Sequence, residues 1–376
     1  MIKRALFLCV AIIFPLHGFC QDADSVRQNM PEAFKEFERM FVPPAHYVVG
    51  RVAEPPVIDG NIDEKAWESA AWSGEFQDIE GCLSPRPKPA FLTKIKMLWD
   101  NEYLYVAAQL EEKHVWAKLD QYDQIVFYDN DFEVFIDPRN TTHHYFEIEI
   151  NALNTIFDLY LPKPYNTGGS ALISWDCKGL QHAVKVHGTL NDATDEDRGW
   201  TVEMAIPFKS LDAAPRDRSL WRINFSRVEW DTQVVDGKYI KKAGADGKPL
   251  PENNWVWSPQ GVVNMHCPER WGYLMFSDAE TQLPEFEMPY SELQRQWLWL
   301  VYYKQRKYMM EHRKYAASLQ ELGIDSAISI NGIGNKLTME ATPFQFTAMI
   351  AGENDAAPPI SINNEGLVRA FGRFGR

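Results

Sequence analysis

Between Tyr47 and about Ser277 the chain is a succession of short runs in which apolar and polar residues alternate, broken by Gly, Pro, Asn and Asp. KIKMLWDNEYLYVAAQLEE reads as two strands joined at Trp99-Asp100-Asn101-Glu102. DFEVFIDP, YFEIEINALN, TIFDLYL, HAVKVHGTL, GWTVEMAIPF, LWRINFSRVEW and RWGYLMF follow. A period of two is that of a half-buried antiparallel strand. Strands at this spacing, with no helical pattern between them, predict an all-β fold: an antiparallel β-sandwich or jelly roll over residues 47–277.

The flanks read differently. Residues 1–20 have Lys3 and Arg4, then an apolar stretch, then Gly18-Phe19-Cys20, the layout of a signal peptide cleaved after Cys20. A lipid anchor on Cys20 is the rival, which bulky Phe19 disfavours. Export follows, to the periplasm, the outer membrane or the medium. No later run is long and apolar enough to span a membrane. Residues 21–46 form a lead-in with a short helical pattern, PEAFKEFERMF, ended by Pro43-Pro44. Residues 278–376 open with a long helix: Leu293, Trp297, Leu300, Val301, Tyr308, Tyr315, Leu319 and Leu322 recur at helical spacing, with Ser291 as N-cap and Gly323 as stop. Two short β-type pieces, LTMEATPFQFTAMI and ISINNEGLVRAF, complete this small tail.

Alternation also assigns faces. Phe132, Val134 and Ile136 point one way, Asp131, Glu133 and Asp137 the other. Phe146, Ile148 and Ile150 share the core face, leaving Tyr145, Glu147, Glu149 and Asn151 opposite. Ile223 and Phe225 face inward, Asn224 and Ser226 outward. If these strands adjoin, one face gathers carboxylates, amides and a tyrosine. Such planar acceptors and donors, bordered by rings, suit saccharide hydroxyls. A plain solvated sheet face is the commoner role for such residues. A third reading pairs Glu133 with Glu147 or Glu149 as the two carboxylates of a glycoside hydrolase, which requires a separation that sequence does not give.

Composition narrows the choice. The net charge of -14 argues against nucleic acid and against polyanionic sugars, and leaves neutral oligo- and polysaccharides. The 13 Trp, 15 Tyr and 21 Phe can fill a core and still furnish a binding surface. Phe127-Tyr128, Trp175, Trp255 and Trp257 lie in or beside loop-like stretches and are candidates for stacking, whereas Trp67, Trp72 and Trp99 read as core. Asp129, Asn130 and Asp131 offer clustered oxygens for calcium, although no cofactor is required by the pattern. There is no G-x-S-x-G, no H-E-x-x-H and no phosphate-cradling glycine loop.

PPVIDGNIDEKAW, LWDNEYLYVAAQL, DNDFEVFIDP, GWTVEMAIPF, WRINFSRVEW and RWGYLMF occur in an order that resembles the family 9 carbohydrate-binding modules. The resemblance implies a β-sandwich that binds sugars without catalysing a reaction, in proteins that assist glycoside hydrolases, with bound calcium in some members. It implies that Glu133 accepts sugar hydroxyls and that Asn151 lines the site. Where the family has a clamp of two tryptophans, this chain has Phe127 and the Met265-His266 stretch, and Glu149 stands in place of an arginine. Tyr128 or Trp257 would supply the missing ring. The expected site is therefore Phe127, Tyr128, Glu133, Glu149, Asn151, Trp257 and His266. Expected partners are a glycan, a glycoside hydrolase or, if the sugar site is lost, an envelope protein.

Overall fold

A computed structural model describes residues 23–353 and 357–371; the expected signal peptide lies outside them. The alternating runs become strands. In the first half they are β1 His46–Arg51, β2 Gln77–Asp78, β3 Thr93–Trp99, β4 Tyr103–Leu110, β5 Asp131–Asp137, β6 Tyr145–Asn151 and β7 Ile156–Leu161. In the second they are β8 Gln181–Val186, β9 Trp200–Pro207, β10 Leu220–Glu229, a hairpin of β11 Thr232–Val235 and β12 Lys238–Lys241, β13 Asn253–Val256 and β14 Gly272–Ser277. All but the hairpin join one curled sheet with the path β7-β6-β5-β10-β14-β1-β3-β4-β9-β8; β13 pairs with β10, and β2 with β13.

The curl brings the two halves of this ribbon face to face, a sandwich-like arrangement. Phe132, Val134, Ile148 and Phe225 from one half share a core with Ile95, Val106, Val202 and Met204 from the other, all essentially inaccessible. Each such side chain contributes about 1.5–3 kcal/mol by leaving water. The inward and outward sets read from alternation are those found. Strand direction is another matter, because alternation sets faces and not direction. β1 runs parallel to both β14 and β3, where antiparallel pairing throughout is the expectation.

A second difference concerns the outer face. β5 and β6 are buried along their whole length, on both sides. Segments from the surrounding loops bring Val126, Met265 and Trp271 onto Phe135, Tyr145, Phe157, Leu159 and Leu161, a second apolar cluster outside the first. The polar face is therefore roofed by loops and not left to solvent.

The flanks build a separate core. Helix α1 spans Ala23–Asn29, and PEAFKEFERMF forms a kinked 3-10 segment over Glu32–Phe41. Helix α2 spans Tyr290–His312; it begins after Pro289, with Ser291 already inside it, and ends at Arg313 in the left-handed conformation (φ 59°), well short of Gly323. The tail holds five strands, not two: β15 Ala327–Ile330, β16 Ile333–Ala341, β17 Phe346–Gly352, β18 Ile360–Asn363 and β19 Val368–Ala370, all antiparallel. The lead-in and the tail share one apolar cluster around α2, with the Phe34 ring 5.0 Å from that of Trp297. Arg222 of β10 fastens α2 to the large sheet. Its Nη2 lies 3.0 Å from Glu292 Oε2, its Nη1 donates to the Trp271 carbonyl, and its guanidinium lies 3.7 Å from the centre of the Tyr273 ring.

Candidate carboxylate-lined site

The three strands β10, β5 and β6 lie side by side, and their register fixes what meets on the outer face. Ser226 is opposite Glu133, and Glu133 is opposite Glu149. Asp131 and Glu147 flank this row one pleat away. Asp131, Glu133, Glu147 and Glu149 are each no more than 5% exposed. One oxygen from each of Asp131, Glu133 and Glu149 lies within 4.8 Å of the other two.

The electrostatics follow from that crowding. Two unit charges 4.8 Å apart repel by about 3.5 kcal/mol at an effective dielectric of about 20. Burial pushes the Glu133 carboxyl up to about 7. Burial and then the neighbouring Glu133 push Asp131, Glu147 and Glu149 well above the ordinary carboxylate range. No lysine or arginine figures among the groups that set these four. The opposite side of β10 shows the contrast. There Arg227 reaches Glu112 at 2.6 Å and Glu229 at 2.8 Å, so buried acids are paired with a cation.

Hydrogen bonds divide the predicted polar residues into two groups. Asp129 is saturated by structure: its Oδ2 accepts from the backbone N–H groups of Lys118 and Leu119, both at 2.8 Å, and from Asn151 Nδ2. Asn151 is saturated too, since Nδ2 donates to the Leu119 carbonyl and Oδ1 accepts from Leu153 and Thr155 N–H. Asn224 ties down Ser258 at both ends of its amide. These three build the loops around the face. Asp131 Oδ2, Glu133 Oε2, Glu147 Oε2, Glu149 Oε2 and Ser226 Oγ, by contrast, are buried with no hydrogen-bond partner outside the row, where Ser226 lies against Glu133 and Glu147 against Glu149.

The expected rings scatter. Trp257 points inward: its indole packs on Gly272 and meets Phe225 edge-on at 5.9 Å, in the main core. It is a core residue and has no part in the outer face. Trp255 is likewise in the core, and Trp175 leans on Phe146. Phe127 and Tyr128 pack against one another, tilted by 36° with centroids 4.4 Å apart, beside Trp230, whose ring lies under Lys241 Nζ at 3.2 Å. Only Tyr128 of that pair is open, at 53%. His266 does reach the face. Its Nδ1 shares a 3.0 Å hydrogen bond with the Tyr145 hydroxyl, and burial holds its ring down to about 4, hence neutral.

Tyr165 escapes the sequence reading. Its ring meets His266 edge-on at 4.4 Å, and after burial the nearby Glu147 and Glu149 hold its phenol above the ordinary value. It is 44% exposed, so with His266 it marks the open rim beside the carboxylates. Its signal was available: an aromatic in the turn-forming stretch Lys163-Pro164-Tyr165-Asn166-Thr167-Gly168, the criterion that singles out Trp175 and Trp257.

Comparison with known proteins bears on the same strands. Endo-1,4-beta-xylanase A of Thermotoga maritima is 27% identical over 165 residues, which is 43% of this chain and 13% of the xylanase. The chain thus matches a small fraction of that enzyme. Among solved structures, a candidate carbohydrate-binding protein of Bacteroides uniformis aligns over 62% of this chain and all of its own, with 16% identity and a TM-score of 0.45. A family 9 module of Caldicellulosiruptor kristjanssonii in complex with cellotriose aligns over 64% of this chain and all of its own, with 14% identity and a TM-score of 0.38. Residues 58–255, which carry β2 to β13 and the whole carboxylate row, match the family described as carbohydrate family 9 binding domain-like, and the chain belongs to that family.

Proposed function

We propose that this is an exported, non-catalytic protein that binds a neutral oligo- or polysaccharide at the face formed by β10, β5 and β6, and that it works beside glycoside hydrolases. The observation that carries the reading is the set of acceptor oxygens on Glu147 and Glu149, without partners outside the carboxylate row, next to the rings of Tyr165 and His266, within the family-matched strands. Sugar hydroxyls donate to such oxygens, and each such hydrogen bond contributes about 0.5–1.5 kcal/mol. The tyrosine ring covers an apolar sugar face. The acidities support binding over hydrolysis. An acid and its nucleophile or base partner need environments that set them apart, whereas here all four carboxyls are pushed up together.

Calorimetry and affinity electrophoresis with neutral oligosaccharides test this. Wild type is expected to bind at least one glycan, and Tyr165→Ala and Glu149→Gln each to weaken it by about tenfold or more. Absence of retention on every neutral glycan, or retention unchanged in both variants, refutes the reading. Turnover of aryl glycosides that disappears in Glu133→Gln refutes its non-catalytic part.

A further inference from the structure

We propose that the C-terminal unit is a working part of the saccharide site: through the ion pair of Lys163 with Glu365 it positions the rim turn that carries Tyr165. The proposal rests on the sugar reading above and names what holds that ring in place. Tyr165 stands on a single 3-10 turn, Tyr165–Thr167, which ends at Gly168 in the left-handed conformation (φ 84°). The Thr167 and Gly169 N–H groups close the turn on the Pro164 carbonyl, at 3.1 and 3.0 Å. Among the described residues, the side-chain hydrogen bonds that leave residues 163–168 both end on the C-terminal unit. Lys163 Nζ lies 2.8 Å from Glu365 Oε1, and Arg306 Nη2 of α2 reaches the Asn166 carbonyl at 3.5 Å, a weaker contact.

Glu365 is a fixed anchor. It lies on the turn between β18 and β19, where Asn363 Oδ1 accepts from the N–H groups of Glu365 and Leu367 at 3.0 and 2.9 Å. Gly366 follows with φ 76°, and a Cβ there would stand 3.2 Å from the Trp299 ring, so the turn is seated on α2. The same turn grips the large sheet. The Gly366 carbonyl accepts from Thr142 Oγ1 at 2.7 Å, and Val368 N–H donates to the Thr141 carbonyl at 3.2 Å. His144 N–H in turn donates to the Pro162 carbonyl at 3.1 Å, directly before Lys163. The other rim residue is held from the same unit. His266 lies shortly before Glu269, whose carboxylate accepts from the Tyr303 hydroxyl of α2 at 3.1 Å. Glu269, Tyr303 and Glu365 all lie beyond residue 255, where the match to the binding-domain family ends, so the family match does not account for this support. Affinity falls with the fraction of molecules whose site is correctly placed, and a part-exposed ion pair shifts such an equilibrium about twofold to fivefold.

The test uses the full chain. Lys163→Glu sets two acids against each other, and the exchanged pair Lys163→Glu, Glu365→Lys restores the attraction with the charges reversed. Both side chains are part-exposed, so the variants fold. Hydrogen–deuterium exchange of residues 162–172 reads the turn in the free protein, and calorimetry with trisaccharides of glucose, xylose and mannose reads the site. Lys163→Glu is expected to speed exchange of the Thr167, Gly168 and Gly169 amides about twofold to fivefold and to weaken saccharide binding by a similar factor. The exchanged pair should return both to within about twofold of wild type, with the urea midpoint unchanged throughout. An ion pair that only braces the fold would move the urea midpoint and leave exchange and affinity alone, and that result overturns the proposal. So does an exchanged pair as weak as Lys163→Glu, because Lys163 would then touch the glycan itself. Absence of wild-type binding to every neutral glycan, with exchange still following the pair, would sink the sugar reading and leave the link between rim and tail standing.

Discussion

Replacing Glu133 by Gln should stabilise the cation-free protein at alkaline pH and leave it nearly unchanged near pH 5. The folded carboxyl sits at about 7 against an ordinary 4.5 because it is buried. The folded state therefore holds a proton that the unfolded chain has released between these values, and stability falls as pH rises through that window. At about 1.4 kcal/mol per pH unit, the ionisation cost above pH 8 is about 3 kcal/mol, and near pH 5 it is below about 1 kcal/mol. Glutamine keeps the shape and removes this cost, and it can donate to Glu149 across the register. Urea unfolding in chelator at pH 5, 6, 7 and 8 measures it. Glu133 alone should account for about 2–3 kcal/mol of the stability wild type loses from pH 5 to 8, with Asp131, Glu147 and Glu149 adding to the total, and Glu133→Gln should lose distinctly less, the gap between them widening with pH. Equal pH dependence of the two proteins, or a variant less stable than wild type at pH 8, would show that the carboxyl row is not the strained cluster described above.

Other expectations test the frame around the site. Arg222→Met removes one of the two cations on buried Glu292, leaving Arg295 at 3.1 Å, and should cost about 1.5–3 kcal/mol in urea unfolding, with earlier proteolysis of the link between the large sheet and α2. Gly272→Ala would set a methyl group 2.2 Å from the Trp257 ring, so about 1–3 kcal/mol of stability should go, with a shift in tryptophan emission. Trp257→Phe should lower the melting temperature and leave glycan retention intact, the reverse of the pattern for Tyr165→Ala; loss of retention in Trp257→Phe with an unchanged melting temperature would contradict the inward placement of that ring.

Much of this molecule is written in its periodicities. Alternation in DFEVFIDP, YFEIEIN and WRINFSR assigns every inward and outward side chain correctly, because a pleated strand has a strict two-residue period. Turn chemistry was legible as well: Asn331-Gly332, with φ of 50° and 80°, joins β15 to β16 as Asn-Gly pairs do in tight hairpins. The acids of the site were named from the same alternation. What they would do there was not legible. Glu133 and Glu149 become a crowded pair only because β5 and β6 adjoin in one register, and Ser226 joins them only because β10 lies on the other side of β5.

Tertiary structure also decided burial, direction and ring placement. A half-polar strand reads as half-wet, yet distant loops carrying Val126, Met265 and Trp271 roof this one, so carboxylates expected in water are held in a low-dielectric layer. Trp257 and Tyr165 look alike in sequence, each an aromatic in a loop-like stretch; one turned inward against Gly272 and the other stayed at the rim, a choice made by packing at long range. The sequence by itself settled which side chains share a face, since that is a local property of the backbone. Which faces meet, and which charges are left without partners when they do, depends on strand order and loop closure, for which no local pattern carries the information.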